Sequence, residues 1–292
     1  MKLRWVLLLV PAAAVAEIAA HEVIHARVPA EGDFERAAVV VRREYRDGDL
    51  VVVAPLWLAN ARRALGPEVM PRRDQARPDE AIYRRLWEVS TRGARASESD
   101  GLAPDLEQTF GRVTLRRFPM TPRARVLFDF IEAQPRAEVF EVSGGRVRPC
   151  SRHGLRSRCE PGGREQWVGT ETISDLDHRP RRCVWAHPLS RGRVLRLHYP
   201  RVPRGRTLEG HTATDYVVGR HCGQAPVDLA VEIDGEVVLN VQHHDCGGWT
   251  SWQDFSVEVP DGPGTADVAF LVSAPDPEGR HFCFQAQMRS PP

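Results

Sequence analysis

Between residues 48 and 55 the chain reads Gly48-Asp49-Leu50-Val51-Val52-Val53-Ala54-Pro55, with apolar positions running unbroken from 50 to 54. β-Branched residues fill the middle, and turn formers bound both ends. That pattern predicts a strand buried on both faces, as inside a parallel sheet. The flanking segments carry a helical period. Asp33 is placed to cap a helix to about Arg46, with Phe34, Ala37, Ala38, Val41 and Tyr45 on one face. Residues 56–65 predict a short helix stopped by Gly66-Pro67. Asp79 opens a third predicted helix over 80–91, with Ile82, Leu86 and Val89 on one face. Residues 97–108 read as loop, and strands are predicted at 113–118, 126–131 and 139–142. Interleaved helices and strands predict a small α/β sheet domain over 30–148.

The pattern then changes. Residues 149–182 are polar and Arg-rich and read as a Cys-containing connector. From Cys183 the helical period vanishes. Short strands are predicted at 184–187, 194–199, 216–219, 227–233, 237–243, 253–259, 266–273 and 282–288. Asp234-Gly235 is the strongest hairpin signal in the chain. Around it, Val227, Leu229, Val231 and Ile233 alternate with Asp228, Ala230 and Glu232, so one face is buried. Strands at this spacing predict an antiparallel β-sandwich or jelly roll over 183–290. The whole is an α+β multidomain chain.

The N-terminus adds an address. Lys2 and Arg4 precede an apolar run from Trp5 to Ala16, about the length of a signal-peptide core. Ala14-Val15-Ala16 offers a small-x-small cleavage site. The alternative is one uncleaved membrane anchor through Ile24, in which Glu17 would cost roughly 2–3 kcal/mol. Residues 1–24 read as a signal peptide or an anchor, both of which place the remainder outside the cytoplasm; the other reading is a buried helix of a cytosolic protein. The net charge of +1 gives no global attraction to nucleic acid or anionic lipid. Basic residues are almost all Arg, Lys2 being the only Lys.

Six Cys occur, at 150, 159, 183, 222, 246 and 283, with no CxxC pair. An even count behind an export-like start fits disulfides in an oxidising compartment. Cys150 and Cys159 share one loop and are expected to pair; Cys222 and Cys246 are expected to staple one end of the sandwich. A metal site at Cys150, Cys159 and His153 would be one ligand short of a closed zinc centre.

Catalytic motifs are absent: there is no GxGxxG, GxxxxGK[ST] or GxSxG. No cofactor or resident metal is called for. Ligands of open α/β sheets sit beyond the carboxyl ends of strands. Here that zone holds Trp57, Asn60 and Arg62, with Asp129 as a possible fourth member; the alternative is that Trp57 packs in the core. The densest polar and aromatic cluster is His243-His244-Asp245-Cys246-Gly247-Gly248-Trp249-Thr250-Ser251-Trp252. Aromatic faces stack on sugars, and His and Asp bind hydroxyls, so His243, His244, Asp245, Trp249 and Trp252 are candidate ligand residues. Two alternatives stay open. Trp252 caps the core while His243 and His244 are solvated, or His221, His243, His244 and Asp245 hold a metal.

Two resemblances follow from these residues. The run Asp33-Phe34-Glu35-Arg36-Ala37-Ala38, then Val41-Arg42 and Gly48-Asp49-Leu50-Val51-Val52, looks like the soluble domain of protein-mannosyltransferase-type membrane glycosyltransferases. It covers about 25 residues and implies a surface-glycan setting. The Val231-Glu232-Ile233-Asp234-Gly235 hairpin, the Trp252–Val259 strand, residues 266–273 and the final Phe282-Cys283-Phe284 resemble the galactose-binding-like sandwich of carbohydrate-binding modules. In that fold the first and last strands lie side by side, so the resemblance implies a Cys183–Cys283 bridge. The resulting expectation is an exported or membrane-anchored cell-envelope protein, more non-catalytic than enzymatic, that recognises a glycan or an envelope protein. The alternative is a glycan-processing enzyme with its site in the α/β domain. No nucleic-acid partner is expected.

Overall fold

The computed structural model describes residues 2–26, 28–163, 165–175, 179–189, 192–220, 225–244 and 252–292. Helix α1 (Lys2–Ala26) contains Pro11, and its positions 11–24 are all exposed. Among the described residues no helix is long and apolar enough to cross a membrane. Glu17, His21 and Glu22 break the apolar run, so the anchor reading of this segment has no structural support.

The chain divides into two compact units, the first formed by Met1–Asp74 and Tyr83–Thr121, the second by Gln75–Ile82 and Pro122–Pro292. In the first unit, β1 (Asp49–Ala54) is buried at every position. Helix α2 (Glu31–Glu44) precedes it; α3 (Ala59–Leu65) and the short α4 (Arg72–Gln75) follow. The remaining strands are β2 (Arg85–Thr91), β3 (Leu106–Phe110) and β4 (Val113–Pro119). The sheet order is β1-β2-β4-β3; β1 and β2 are parallel, the other pairs antiparallel. Val51 and Val53 pack with Trp87, Val89, Phe34 and Val41, whereas Leu50, Val52 and Ala54 pack with Leu86 and Phe118. β1 is thus sealed on both faces, as its unbroken apolar run requires.

Three local expectations are corrected here. Asp33 does not cap α2: Ala30 is the N-cap, and the Asp33 carboxylate accepts from the Ala30 N–H at 3.2 Å and the Arg112 N–H at 3.2 Å. Residues 80–91 form no helix, because Leu86 and Val89 take opposite faces of β2. Their spacing matches a helical stripe and a two-sided strand equally well. Residues 106–110 are a strand rather than loop.

The second unit is an antiparallel β-sandwich. Its elements in chain order begin with β5 (Arg125–Asp129), α5 (Phe130–Ala133), β6 (Glu138–Ser143), β7 (Arg146–Pro149), β8 (Ser151–His153), β9 (Arg156–Arg158) and β10 (Val168–Ser174). They continue with β11 (Pro180–Ala186), β12 (Val194–Pro203), β13 (Thr207–Thr214), α6 (Tyr216–Gly219), β14 (Val227–Ile233) and β15 (Glu236–His243). Strands β16 (Trp252–Glu258), β17 (Thr265–Ser273) and β18 (Phe282–Ser290) complete it. One sheet runs β16-β13-β18-β11-β10-β9-β8, with β5 also on β18; the other runs β15-β14-β17-β12-β6-β7. Phe270, Phe284, Leu197, Val231 and Leu208 belong to one buried core drawn from both sheets.

Strands 125–129 and 138–143, expected in the α/β domain, pair here with β18 and β12. Alternation identifies a strand but not its sheet. The 149–182 connector is likewise largely β-structure, running from β8 to β11. Residues 216–219 are a helical turn, because the Asp215 side chain accepts from the Val217 N–H at 2.8 Å. The hairpin forms as expected: Asp234 and Gly235 have φ of 53° and 85°, and Ile233 pairs with Glu236. Two expected disulfides are present, Cys150–Cys159 and Cys183–Cys283. The second joins β11 to β18, which pair directly through Trp185 and Cys283. Cys222 and Cys246 lie outside the described residues.

Candidate functional site

His243 ends β15 and is 2% exposed. Its Nδ1 lies 2.9 Å from the Thr212 hydroxyl and its Nε2 2.8 Å from that of Thr214. The ring meets Phe282 edge-on. Both nitrogens have hydroxyl partners, so His243 is a buried residue held between two threonines rather than a solvated loop residue. His244 is exposed, with Nε2 2.9 Å from the Gln242 carbonyl oxygen. Asp245 and Trp249, like His221, lie outside the described residues. Among the described residues no group of three or more His, Cys, Asp or Glu side chains is placed to hold a metal.

Trp252 opens β16 on the face turned away from the core, beside Ala213 and Cys283. Its ring stacks on His211 at 4.7 Å and 18°, and the Arg181 guanidinium lies 4.5 Å from its centroid. Protein groups therefore already cover this indole. Burial pushes the His211 imidazole down to about 4, overcoming the upward pull of Asp254 and Asp79. His211 is neutral near neutral pH.

The second candidate set separates. Trp57 is 74% exposed, at the carboxyl end of β1, and Asn60 is exposed. The Arg62 guanidinium donates to the Leu56 carbonyl at 3.0 Å and 3.3 Å, holding the turn. Asp129 belongs to the second unit. There it caps α5, accepting from the Ile131 N–H at 2.9 Å, and also accepts from Gln287 Nε2 at 2.9 Å. Its carboxylate is committed to structure.

A groove of about 510 Å³ lies where sequence reasoning placed only a turn. Its walls are the β12–β13 link at Arg204, Gly205 and Arg206, the end of β16 at Glu258, and the Pro260-Asp261-Gly262-Pro263-Gly264 loop. Arg204 builds it. Its Nε donates to the Pro263 carbonyl at 2.8 Å and one terminal nitrogen to that of Pro260 at 2.7 Å. The other terminal nitrogen bonds Asp234. The Asp234 carboxyl is held below its ordinary range, first by the Asp267 N–H and then by Arg204. Gly262 is required, because a Cβ there would sit 2.7 Å from the Arg204 guanidinium. With Arg204 spent on the frame, Arg206, Glu258 and Asp261 are exposed, and among the described residues none of them has an ion-pair partner. The Pro-Gly run was legible as a loop; Arg204, distant from its Asp234 partner in sequence, carried no local signal.

No family model matches the chain, and no curated protein matches it. Among solved structures, it resembles the second family 51 carbohydrate-binding module, solved with GlcNAc, and INT domains of Clostridium perfringens ZmpB. There the TM-score is 0.33 at 14% identity, covering 60% of this chain and 42% of that one. A family 51 module from C. perfringens GH95, in complex with methyl-galactose, gives 0.30 at 13%, covering 51% and 92%. A family 6 module from Clostridium cellulolyticum, in complex with xylose, gives 0.27 at 16%, covering 47% and 95%. These are carbohydrate-binding modules, the class that the hairpin and strand order resemble. Likeness at this level carries no ligand over to this chain.

Proposed function

We propose that this chain is an exported, non-catalytic recognition protein that binds a glycan in the groove framed by Arg204. The observation that carries this is the set of uncommitted charged ends at Arg206, Glu258 and Asp261 around one concavity. Sugar hydroxyls both donate and accept: the two carboxylates take their protons, and the guanidinium donates to their oxygens. Pro260, Pro263 and Val259 offer apolar surface for the C–H faces of a ring. Two disulfides fit an oxidising, extracytoplasmic compartment, as does the Lys2, Arg4 and apolar-run start. A C-terminal reporter fusion is expected to be active only outside the cytoplasm.

The test is a glycan-array screen of the full chain beside Arg206→Ala and Glu258→Gln. Binding by the parent protein, reduced about tenfold or more in both variants at unchanged thermal midpoint, is the expected result. A blank array, or variants that bind as well as the parent, removes the groove from consideration.

A further inference from the structure

Strand β16 is the edge strand of its sheet. Phe255 and Val257 turn toward the core, so Trp252, Asp254, Ser256 and Glu258 face away from it. The Asp254 side chain is 81% exposed, and Ser256 and Glu258 are exposed. Glu258 is a wall of the groove. The outward row therefore leads from the groove to Trp252, a path of about 20 Å for six residues of strand.

At the Trp252 end three buried polar atoms have no hydrogen-bond partner: Trp252 Nε1, His211 Nδ1 and Gln285 Oε1. They sit at neighbouring positions on one face, since His211 pairs with both Gln285 and Asp254, and Ala213, two residues on, pairs with Trp252. Gln285 is 2% exposed and His211 8%. Native proteins rarely leave such atoms orphaned, and three together are hydrogen-bonding capacity that the described residues do not use. The Asp254 carboxylate lies 3.3 Å from His211 Nε2. It favours the tautomer with the proton on that nitrogen, which leaves Nδ1 as an acceptor. The corner thus offers one donor and two acceptors. Two neighbouring hydroxyls match it: each gives a proton to one acceptor, and one of them accepts from the indole N–H.

We propose that the ligand is a linear oligosaccharide lying along the outer face of β16. One end sits in the groove, and a diol near the other end sits on Trp252, His211 and Gln285. This inference rests on the glycan-binding role of the groove and adds the length and direction of the bound chain.

The test is titration calorimetry of the full chain with β-1,4-linked glucose, xylose and N-acetylglucosamine ladders, from disaccharide to hexasaccharide. Affinity is expected to climb about tenfold or more between the disaccharide and the longer members of one ladder. Trp252→Phe, which keeps an aromatic ring but loses the N–H, loses that gain and keeps the disaccharide affinity. Asp254→Ala, at a side chain that is 81% exposed, reduces the gain as well. Arg206→Ala weakens every length. Binding that does not change with length, or a gain that survives both Trp252→Phe and Asp254→Ala, overturns the extended path and leaves the groove intact as a site. No binding to any ladder overturns the extended path, and with a blank array it overturns the groove reading too.

Discussion

The Trp252 corner and the Arg204 groove are both rich in charge and hydrogen-bonding groups, yet they spend them differently. At the corner, His243 is consumed by Thr212 and Thr214 and the Trp252 ring is covered by His211 and Arg181, so that among the described residues only the buried Trp252 Nε1, His211 Nδ1 and Gln285 Oε1 are left over there. In the groove a single residue, Arg204, absorbs the structural work, and among the described residues its neighbours Arg206, Glu258 and Asp261 have no ion-pair partner. The lesson is that residue type marks where chemistry is dense, whereas commitment of lone pairs and protons marks where a ligand can compete for it.

The largest effect that sharpens this contrast is at the disulfide beneath the corner. Replacing Cys183 and Cys283 together by Ala opens a crosslink of sequence separation 100. It is expected to cost about 4–5 kcal/mol of stability in denaturant unfolding. Disaccharide affinity of the protein that stays folded is expected to be unchanged; a loss of disaccharide affinity at full folding would show that the groove itself depends on the corner beneath Trp252.

Next is Arg204→Ala. Removing a guanidinium that is 9% exposed takes a donor from the Pro260 and Pro263 carbonyls and leaves Asp234 with the Asp267 N–H alone. The expected cost is about 2–3 kcal/mol, with glycan binding lost. Binding that persists would separate the groove's frame from its function. His243→Ala is expected to cost about 2 kcal/mol by stranding two threonine hydroxyls, and to leave groove affinity as it was. Reduced affinity in that variant, with the protein fully folded, would return His243 to the site.

A smaller effect is expected with pH. The His211 imidazole is lowered to about 4 in the folded protein. In the unfolded chain it titrates near 6.5. Between these values the unfolded state binds more protons, so stability contributed by neutral His211 is present above about 6.5 and is lost as pH falls toward 4. Asp254 and Asp79 oppose the shift, and Arg181 and Arg289 support it. Unfolding measured across this window should show a slope that His211→Phe flattens; an unchanged slope would assign the window to other groups.

Features set by near neighbours were readable from the chain alone. The unbroken run at 50–54 required two covered faces, and apolar side chains pack on both sides of β1. Asp234-Gly235 required positive φ at both turn positions, and Cys150 and Cys159 were close enough to pair across one loop. The alternation at 227–233 told strand and face correctly, and 266–273 was legible as a strand. Only the tertiary structure decided the rest. It sent residues 125–129 and 138–143 to the sandwich, because pairing energy depends on which partner edge is available and not on the strand's own pattern. It read 85–91 as a strand, because the parallel partner β1 is 36 residues away in sequence at the Asp49–Arg85 contact. It satisfied His243 with hydroxyls 31 and 29 residues distant, and it built the groove on an arginine 30 residues from its aspartate. Backbone propensity and periodicity act within a few residues, whereas hydrogen-bond satisfaction in a sandwich is settled between strands that meet only once the chain has folded.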